Sequence, residues 1–109
     1  MKQTTRDPKG NTPLGYASEY GHAAVAQLLI KAGADINAKN DAGVAPLHYA
    51  CLYGNKNIVE MLVANGVDIN APVVKEGTEW TALQFAEHGQ HREIVDFLLQ
   101  HNAIRGRIR

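Results

Sequence analysis

The sequence predicts an all-α solenoid of three stacked helix-turn-helix units joined by β-turn fingers, and three observations carry that expectation. The chain is similar to itself at a spacing of 33 residues, proline and glycine recur at fixed places in each copy, and apolar residues recur at helical spacing between them. Laying residues 7–39 over residues 40–72 gives thirteen identities, where ordinary composition would give roughly two. A third copy follows at an offset of 36, in Thr81-Ala82-Leu83-Gln84-Phe85-Ala86, His91 and Ile94-Val95-Asp96-Phe97-Leu98-Leu99, so three extra residues sit before it within Val73 to Glu79. The approximate repeats are 7–39, 40–75 and 76–103, with a basic C-terminal tail at 104–109, in one domain spanning 1–109.

Each copy divides into the same parts. Pro13 and Pro46 suit the first turn of a helix, where the missing N–H is not needed. That helix closes near Gly21 or Gly54. The second helix carries Val25, Leu28 and Leu29 in the first copy, Ile58, Met61 and Leu62 in the second, and Ile94, Phe97 and Leu98 in the third. Gly33 and Gly66 stop it, because glycine readily takes the left-handed conformation that ends helices. The turn from Asp35 to Gly43 is rich in side chains that bond their own backbone. Helices this short are unstable alone in water, so the units must stack on one another, as repeat folds do.

Gly10-Asn11-Thr12-Pro13-Leu14, Ala45-Pro46-Leu47-His48-Tyr49-Ala50, Gly21-His22 and Gly33-Ala34-Asp35-Ile36-Asn37-Ala38 resemble the ankyrin repeat, and the resemblance covers residues 7–103. It implies an ankyrin-repeat solenoid that binds another protein through its concave face and turn tips. It also implies that His48 bonds neighbouring turns and that His91, aligned with His22, packs between repeats. The third copy departs from the pattern, with Ala82 for the proline, Gln84 for the histidine and Asn102 for the terminal glycine. Asparagine tolerates the left-handed conformation, so the third unit is expected to close, with frayed ends. Leu29 with Asp35-Ile36-Asn37, and Leu62 with Asp68-Ile69-Asn70, also resemble the spacing of asparagine hydroxylation in ankyrin repeats; the same asparagines suit the tying of turns.

Other classes find little support. Eleven basic side chains balance eleven acidic ones, so no long-range field favours nucleic acid or a membrane surface. The longest apolar stretch, Ala23 to Ile30, is broken by Gln27 and falls far short of the ~20 residues that cross a bilayer. The N-terminus has no apolar run readable as a secretion signal. Cys51 is the single cysteine, and the chain fits a cytosolic or nuclear setting. His88 and His91 stand at i, i+3 with no acidic or thiol ligand spaced beside them, so no metal site is expected. His48 and Cys51 are the nearest approach to a base and nucleophile, but Cys51 aligns with Ser18 and Glu87 and no third residue orients the pair. No enzyme activity and no cofactor are expected. The glycines fall at turns and helix ends and form no phosphate loop. Arg105, Arg107 and Arg109 read as a solvated, disordered end or the start of a segment that continues in a longer chain, with contact to nucleic-acid or membrane phosphates a minor alternative.

The resemblance places a partner site on the turn residues and the exposed side of each first helix. The first copy then contributes Pro8, Lys9, Asn11, Glu19 and Tyr20, and the second Lys39, Asp41, Ala42, Val44, Leu52 and Tyr53. The third contributes Trp80 and His88, preceded by a lengthened loop over 72–79 that could fold over the groove. Tyrosine and tryptophan cover much apolar area at low entropic cost, which is why binding hot spots favour them. Tyr20 and Tyr53 hold the same place in successive units and are expected about 8–10 Å apart, the separation of packed helices. The alternative function is a structural segment that stacks end to end with further repeats or subunits. The second helix of the first copy favours it, with Ala23, Ala24 and Ala26 where a terminal unit would carry charges.

Overall fold

A computed structural model describes residues 6–107. The N-terminal segment Met1–Thr5, and Ile108 and Arg109 of the tail, lie outside the described residues. Among the described residues, six helices form three antiparallel pairs: α1 Pro13–Tyr20 with α2 Ala23–Lys31, α3 Pro46–Leu52 with α4 Lys56–Ala64, and α5 Ala82–His88 with α6 Arg92–Gln100. The first helices α1, α3 and α5 pack in a row, and α2, α4 and α6 form a second layer behind them.

The sequence dictates where these helices start and stop. Pro13 and Pro46 open α1 and α3, and the Thr12 hydroxyl accepts from the Gly15 N–H at 3.0 Å. Each pair buries one leucine of its first helix, Leu14, Leu47 and Leu83, and the small Ala17, Ala50 and Ala86 let the rows approach closely. At the far end of α4, Gly66 turns left-handed at φ 82° and the Val67 N–H donates to the Leu62 carbonyl at 3.1 Å. Asn102 makes the same turn after α6 at φ 67°, and the Ala103 N–H donates to Leu98 at 3.0 Å.

Polar side chains tie each repeat to the next. Asn55 Nδ2 donates to the Ser18 carbonyl at 2.7 Å, and His91 Nε2, at the equivalent place one repeat on, donates to the Leu52 carbonyl at 3.0 Å. Asn37 Oδ1 accepts from the Asp68 N–H at 2.8 Å, and Asn70 Oδ1 from the Ile104 N–H at 2.9 Å.

Three expectations need correction. The lengthened 72–79 segment is no open loop but a β-hairpin, β1 Val73–Lys75 paired antiparallel with β2 Thr78–Trp80 in the register Val73 to Trp80. Glu76 and Gly77 both have positive φ, 53° and 80°, the signature of the type I′ turn whose twist suits two-residue hairpins. The turn sits where the second and third repeats were divided. The third repeat is also not frayed, and residues 104–107, although mostly exposed, are bonded in place and not disordered. The Thr81 hydroxyl donates to the Ile104 carbonyl at 2.6 Å and the Gly106 N–H donates to Gln84 Oε1 at 2.7 Å. Arg105 pairs with Glu87, and Arg107 with Glu79, so the segment lies along the third repeat where a following finger would lie.

Candidate partner-binding groove

Between the first two fingers and the exposed side of α1 and α3 runs a groove of ≈ 810 Å³. Its floor is built by a hydrogen-bonded chain that both fingers share. Asp7 Oδ1 accepts from the N–H groups of Lys9 and Asn11, both at 2.9 Å, which folds the first finger as an Asx turn. Asp7 Oδ2 accepts from the Tyr16 hydroxyl and from Asn11 Nδ2. Asn40 repeats the device in the second finger, accepting from Ala42 and Val44 N–H at 3.0 Å each. Its Nδ2 donates to the Tyr49 hydroxyl at 2.8 Å and to Asn11 Oδ1 at 2.9 Å, joining the fingers.

This chain sets the electrostatics. The Tyr16 hydroxyl bond, followed by the Asn11 side-chain and backbone bonds, holds the Asp7 carboxyl well below the usual carboxylate range. The same bond to Asp7 pushes the Tyr16 hydroxyl upward, while burial first raises Tyr49. Asp7, Glu19 and Asp41 therefore line the groove against the single cation Lys9, and Tyr16, Tyr20 and Tyr49 supply aromatic walls. Tyr20 stacks on Tyr16, one turn back on its own helix, with ring centroids 6.5 Å apart and planes 7° from parallel.

Of the residues expected to meet a partner, Pro8, Lys9, Asn11, Glu19, Tyr20, Asp41 and Ala42 come together in this groove. Asn11 is committed to the finger network through both ends of its amide. Lys39, Val44, Leu52, Tyr53, Trp80 and His88 do not line it. Tyr53 is exposed, but the expected exposure of Val44, Leu52 and Trp80 is corrected, because all three are half-buried. Trp80 lies in β2 and rests on Phe85 at 5.5 Å, with His88 edge-on at 5.9 Å. The tyrosine stripe also stops at the third repeat. Gly89 stands where Tyr20 and Tyr53 stand, and a Cβ there would lie 2.6 Å from both the His91 ring and the Leu52 carbonyl oxygen.

Asp7, Tyr16, Asn40 and Tyr49 were not read from the sequence as site residues. The signal was present, since Tyr16 and Tyr49 are an identity between copies, and Asp7 and Asn40 place the same kind of side chain at the start of each finger.

The residues weighed for chemistry are engaged structurally. His48 is buried; its Nδ1 accepts from the Ala45 N–H at 2.9 Å and its Nε2 donates to the Ala71 carbonyl at 2.8 Å. Burial, the largest cause, lowers its pKa and favours the neutral ring this arrangement needs. Burial likewise pushes the Cys51 thiol up to about 12, far from the thiolate a nucleophile requires. Among the described residues, no three His, Cys, Asp or Glu side chains gather as a metal site, and no helix is long and apolar enough to cross a membrane.

Paired helices in a row, a finger between each pair and a concave groove define a helical-repeat interaction module. Residues 1–73 match the model of the family described as Ankyrin repeats (3 copies), and residues 78–106 match that of the Ankyrin repeat. The chain belongs to the ankyrin-repeat family, whose members are in general non-catalytic modules that bind other proteins. No match was found among curated proteins.

Proposed function

We propose that the chain holds its protein partner by a basic segment laid in the groove of the first two repeats. The observation that carries this reading is the pairing of three tyrosines with three carboxylates around one lysine in a groove of ≈ 810 Å³. A Lys or Arg side chain can lay its aliphatic stem on Tyr16 and Tyr20 and direct its charge to Glu19 and Asp41, combining stacking with a charge-assisted bond. The shared Asp7–Asn11–Asn40 network holds the walls before a partner arrives, which lowers the ordering cost of binding. Lys9, also in the groove's lining, accommodates an acidic residue flanking the basic one.

Selection of binders from a random displayed peptide library tests the reading. Enriched peptides are expected to carry Lys or Arg, to weaken with added salt, and to lose about tenfold or more in affinity to Tyr20→Ala or Glu19→Lys. Trp80→Ala and Tyr53→Ala serve as comparison variants and leave affinity unchanged. Acidic or uncharged binders, or binders indifferent to Tyr20 and Glu19, overturn it.

A further inference from the structure

Residues 104–107 depart from the pattern of the fingers before them. After the first two helix pairs this stretch curls into a turn: the Asp35 carboxylate accepts from the Asn37 N–H at 3.0 Å, and the Asp68 carboxylate from the Asn70 N–H at 3.3 Å. Ile104 and Gly106 stand in those places and cannot make that bond. The segment instead runs without a turn past β2 and the start of α5. The Arg107 carbonyl accepts from the Glu79 N–H at 2.5 Å, on the edge of β2 that β1 leaves free, so the segment lies against the hairpin as a third strand would.

The groups that seat it belong as a set to the third repeat alone. Thr81 and Gln84, 2% and 4% exposed, supply the hydroxyl that bonds the Ile104 carbonyl and the amide oxygen that receives the Gly106 N–H. The second repeat has Ala45 and His48 there. Glu87 takes Arg105 through both carboxylate oxygens, with Nε at 3.2 Å, where the other copies have Ser18 and Cys51. Glu79 Oε2 takes Arg107 at 3.3 Å. Between the two arginines only glycine fits, since a Cβ on Gly106 would stand 2.3 Å from the Glu79 carbonyl oxygen. The two sides of this contact are unequal. Its floor is buried and bonded into β2 and α5, whereas the Arg105 and Arg107 side chains are 60% and 85% exposed, and ion pairs so exposed hold weakly. The seat is more firmly built than its occupant.

We propose that the outer edge of β2, with Thr81, Gln84 and Glu87, is a peptide seat for an extended segment of a partner protein in which two arginines flank a glycine, and that residues 104–107 fill it until such a segment displaces them. Main-chain bonds to Glu79, Thr81 and Gln84 supply the hold, and Glu87 and the missing Cβ supply the selection, as in strand addition at a sheet edge. A carboxylate that receives two guanidinium nitrogens favours arginine over lysine. The seat shares no residue with the groove of the first two repeats and does not depend on it.

The probe is the synthetic peptide acetyl-Ala-Ile-Arg-Gly-Arg-amide, its binding read from the fluorescence of Trp80, the single tryptophan, and from the Glu79 amide by NMR. The full chain is compared with its Gly106→Val variant, which unseats the chain's own segment, and circular dichroism checks that the helices remain. Saturable binding to the variant is expected, about tenfold or more tighter than to the parent, where the tethered segment competes at high effective concentration. Adding Glu87→Lys should weaken it by about tenfold or more, and a peptide with valine for glycine should not bind. If Gly106→Val unfolds the chain, Arg105→Glu with Arg107→Glu empties the seat by charge repulsion, and the same differences are expected. No binding to the emptied seat, equal affinity for parent and variant, or equal affinity for the valine peptide overturns the proposal. Sedimentation supplies the other arm: a dimer of the parent chain that Gly106→Val dissolves gives the seat to a second copy and equally overturns it.

Discussion

In the second repeat the Ala45 N–H is received by the His48 imidazole, and in the third the equivalent Thr81 N–H is received by the Gln84 amide oxygen at 3.0 Å. Both side chains also bond the backbone that runs past them, but with opposite polarity. His48 Nε2 donates to the Ala71 carbonyl, whereas Gln84 Oε1 accepts from the Gly106 N–H. The position thus demands an acceptor for the helix-opening N–H and a second bond to the next finger, and two chemically different residues satisfy it. The first repeat has Gly15 there, and a different device joins its finger to the next: one Arg6 guanidinium nitrogen donates to the Gly10 and Lys39 carbonyls at 2.9 and 2.8 Å.

The largest effect expected from breaking this comparison belongs to His48→Ala. It leaves the Ala45 N–H and the Ala71 carbonyl without their partner in a buried setting and removes a ring packed on Phe85 at 5.5 Å. Urea unfolding should show a loss of roughly 3 kcal/mol, since each stranded buried group costs about 1–3 kcal/mol. His48→Gln, which imports the third repeat's solution, should recover at least half of that. Equal losses for the two variants would mean that the ring's packing, and not its acceptor nitrogen, is what the position requires.

Acid separates the two repeats next. The folded-state pKa of His48 lies below its ordinary 6.5. Above 6.5 the ring is neutral in both states and its contribution is complete. Below 6.5 the unfolded chain takes up a proton that the folded chain refuses, so stability falls as pH falls toward the folded value, by at most ~1.4 kcal/mol per pH unit. Asp7 has the depressed carboxylate pKa, so its contribution is present above 3.8 and is lost only at more acid pH, below the onset of the His48 effect. Melting temperatures between pH 4 and 6.5 should therefore drop less steeply for His48→Gln than for the parent chain. Parallel curves would remove His48 as the source.

A smaller effect tests the third repeat's closing segment. Removing residues 104–109 takes away the Ile104 and Gly106 bonds to Thr81 and Gln84 and the ion pairs of Arg105 and Arg107. Exposed ion pairs contribute little, so most of an expected loss of about 1–2 kcal/mol comes from the two partly buried hydrogen bonds. Arg105→Ala alone should change stability by less than ~1 kcal/mol. An unchanged melting temperature on truncation would return the segment to the solvated tail that its composition suggests.

What sequence reading reached and what it missed divide along local and distant causes. Helix starts at Pro13 and Pro46, stops at Gly66 and Asn102, and the row of Leu14, Leu47 and Leu83 are local or periodic, and repetition exposes them. The hairpin was hidden because its turn places Glu76, not asparagine or glycine, at a positive φ. The burial of Trp80 depends on Phe85 and on strand pairing, neither of which follows from its place in the repeat. The closing segment depends on Glu79, Gln84 and Glu87, all at least 18 residues away in sequence. In the groove, Glu19, Tyr20 and Asp41 follow from the resemblance to the ankyrin repeat, which places a partner on the turns and the exposed side of each first helix. The role of Asp7 emerges only when Tyr16 is seen to reach it across nine residues.

The smallest effect sharpens the difference between the second and third repeats at their inner turns. Gly54 follows α3 at φ 78°, and Gln90 stands at its place after α5 at φ 61°. A residue with a Cβ in the left-handed region carries a penalty of about 1–2 kcal/mol, while glycine gives back part of that through the freedom it gains in the unfolded chain. Gln90→Gly should therefore stabilise by roughly 0.5–1 kcal/mol, a rise of about 2–8 °C in melting temperature for a domain of this size. Asn102→Gly, at φ 67°, should gain less, because asparagine already tolerates this conformation. The ordering is the discriminating result. If Asn102→Gly gains more than Gln90→Gly, backbone strain is not what separates the third repeat from the second, and the Gln90 side chain, exposed as it is, must make a contact worth keeping.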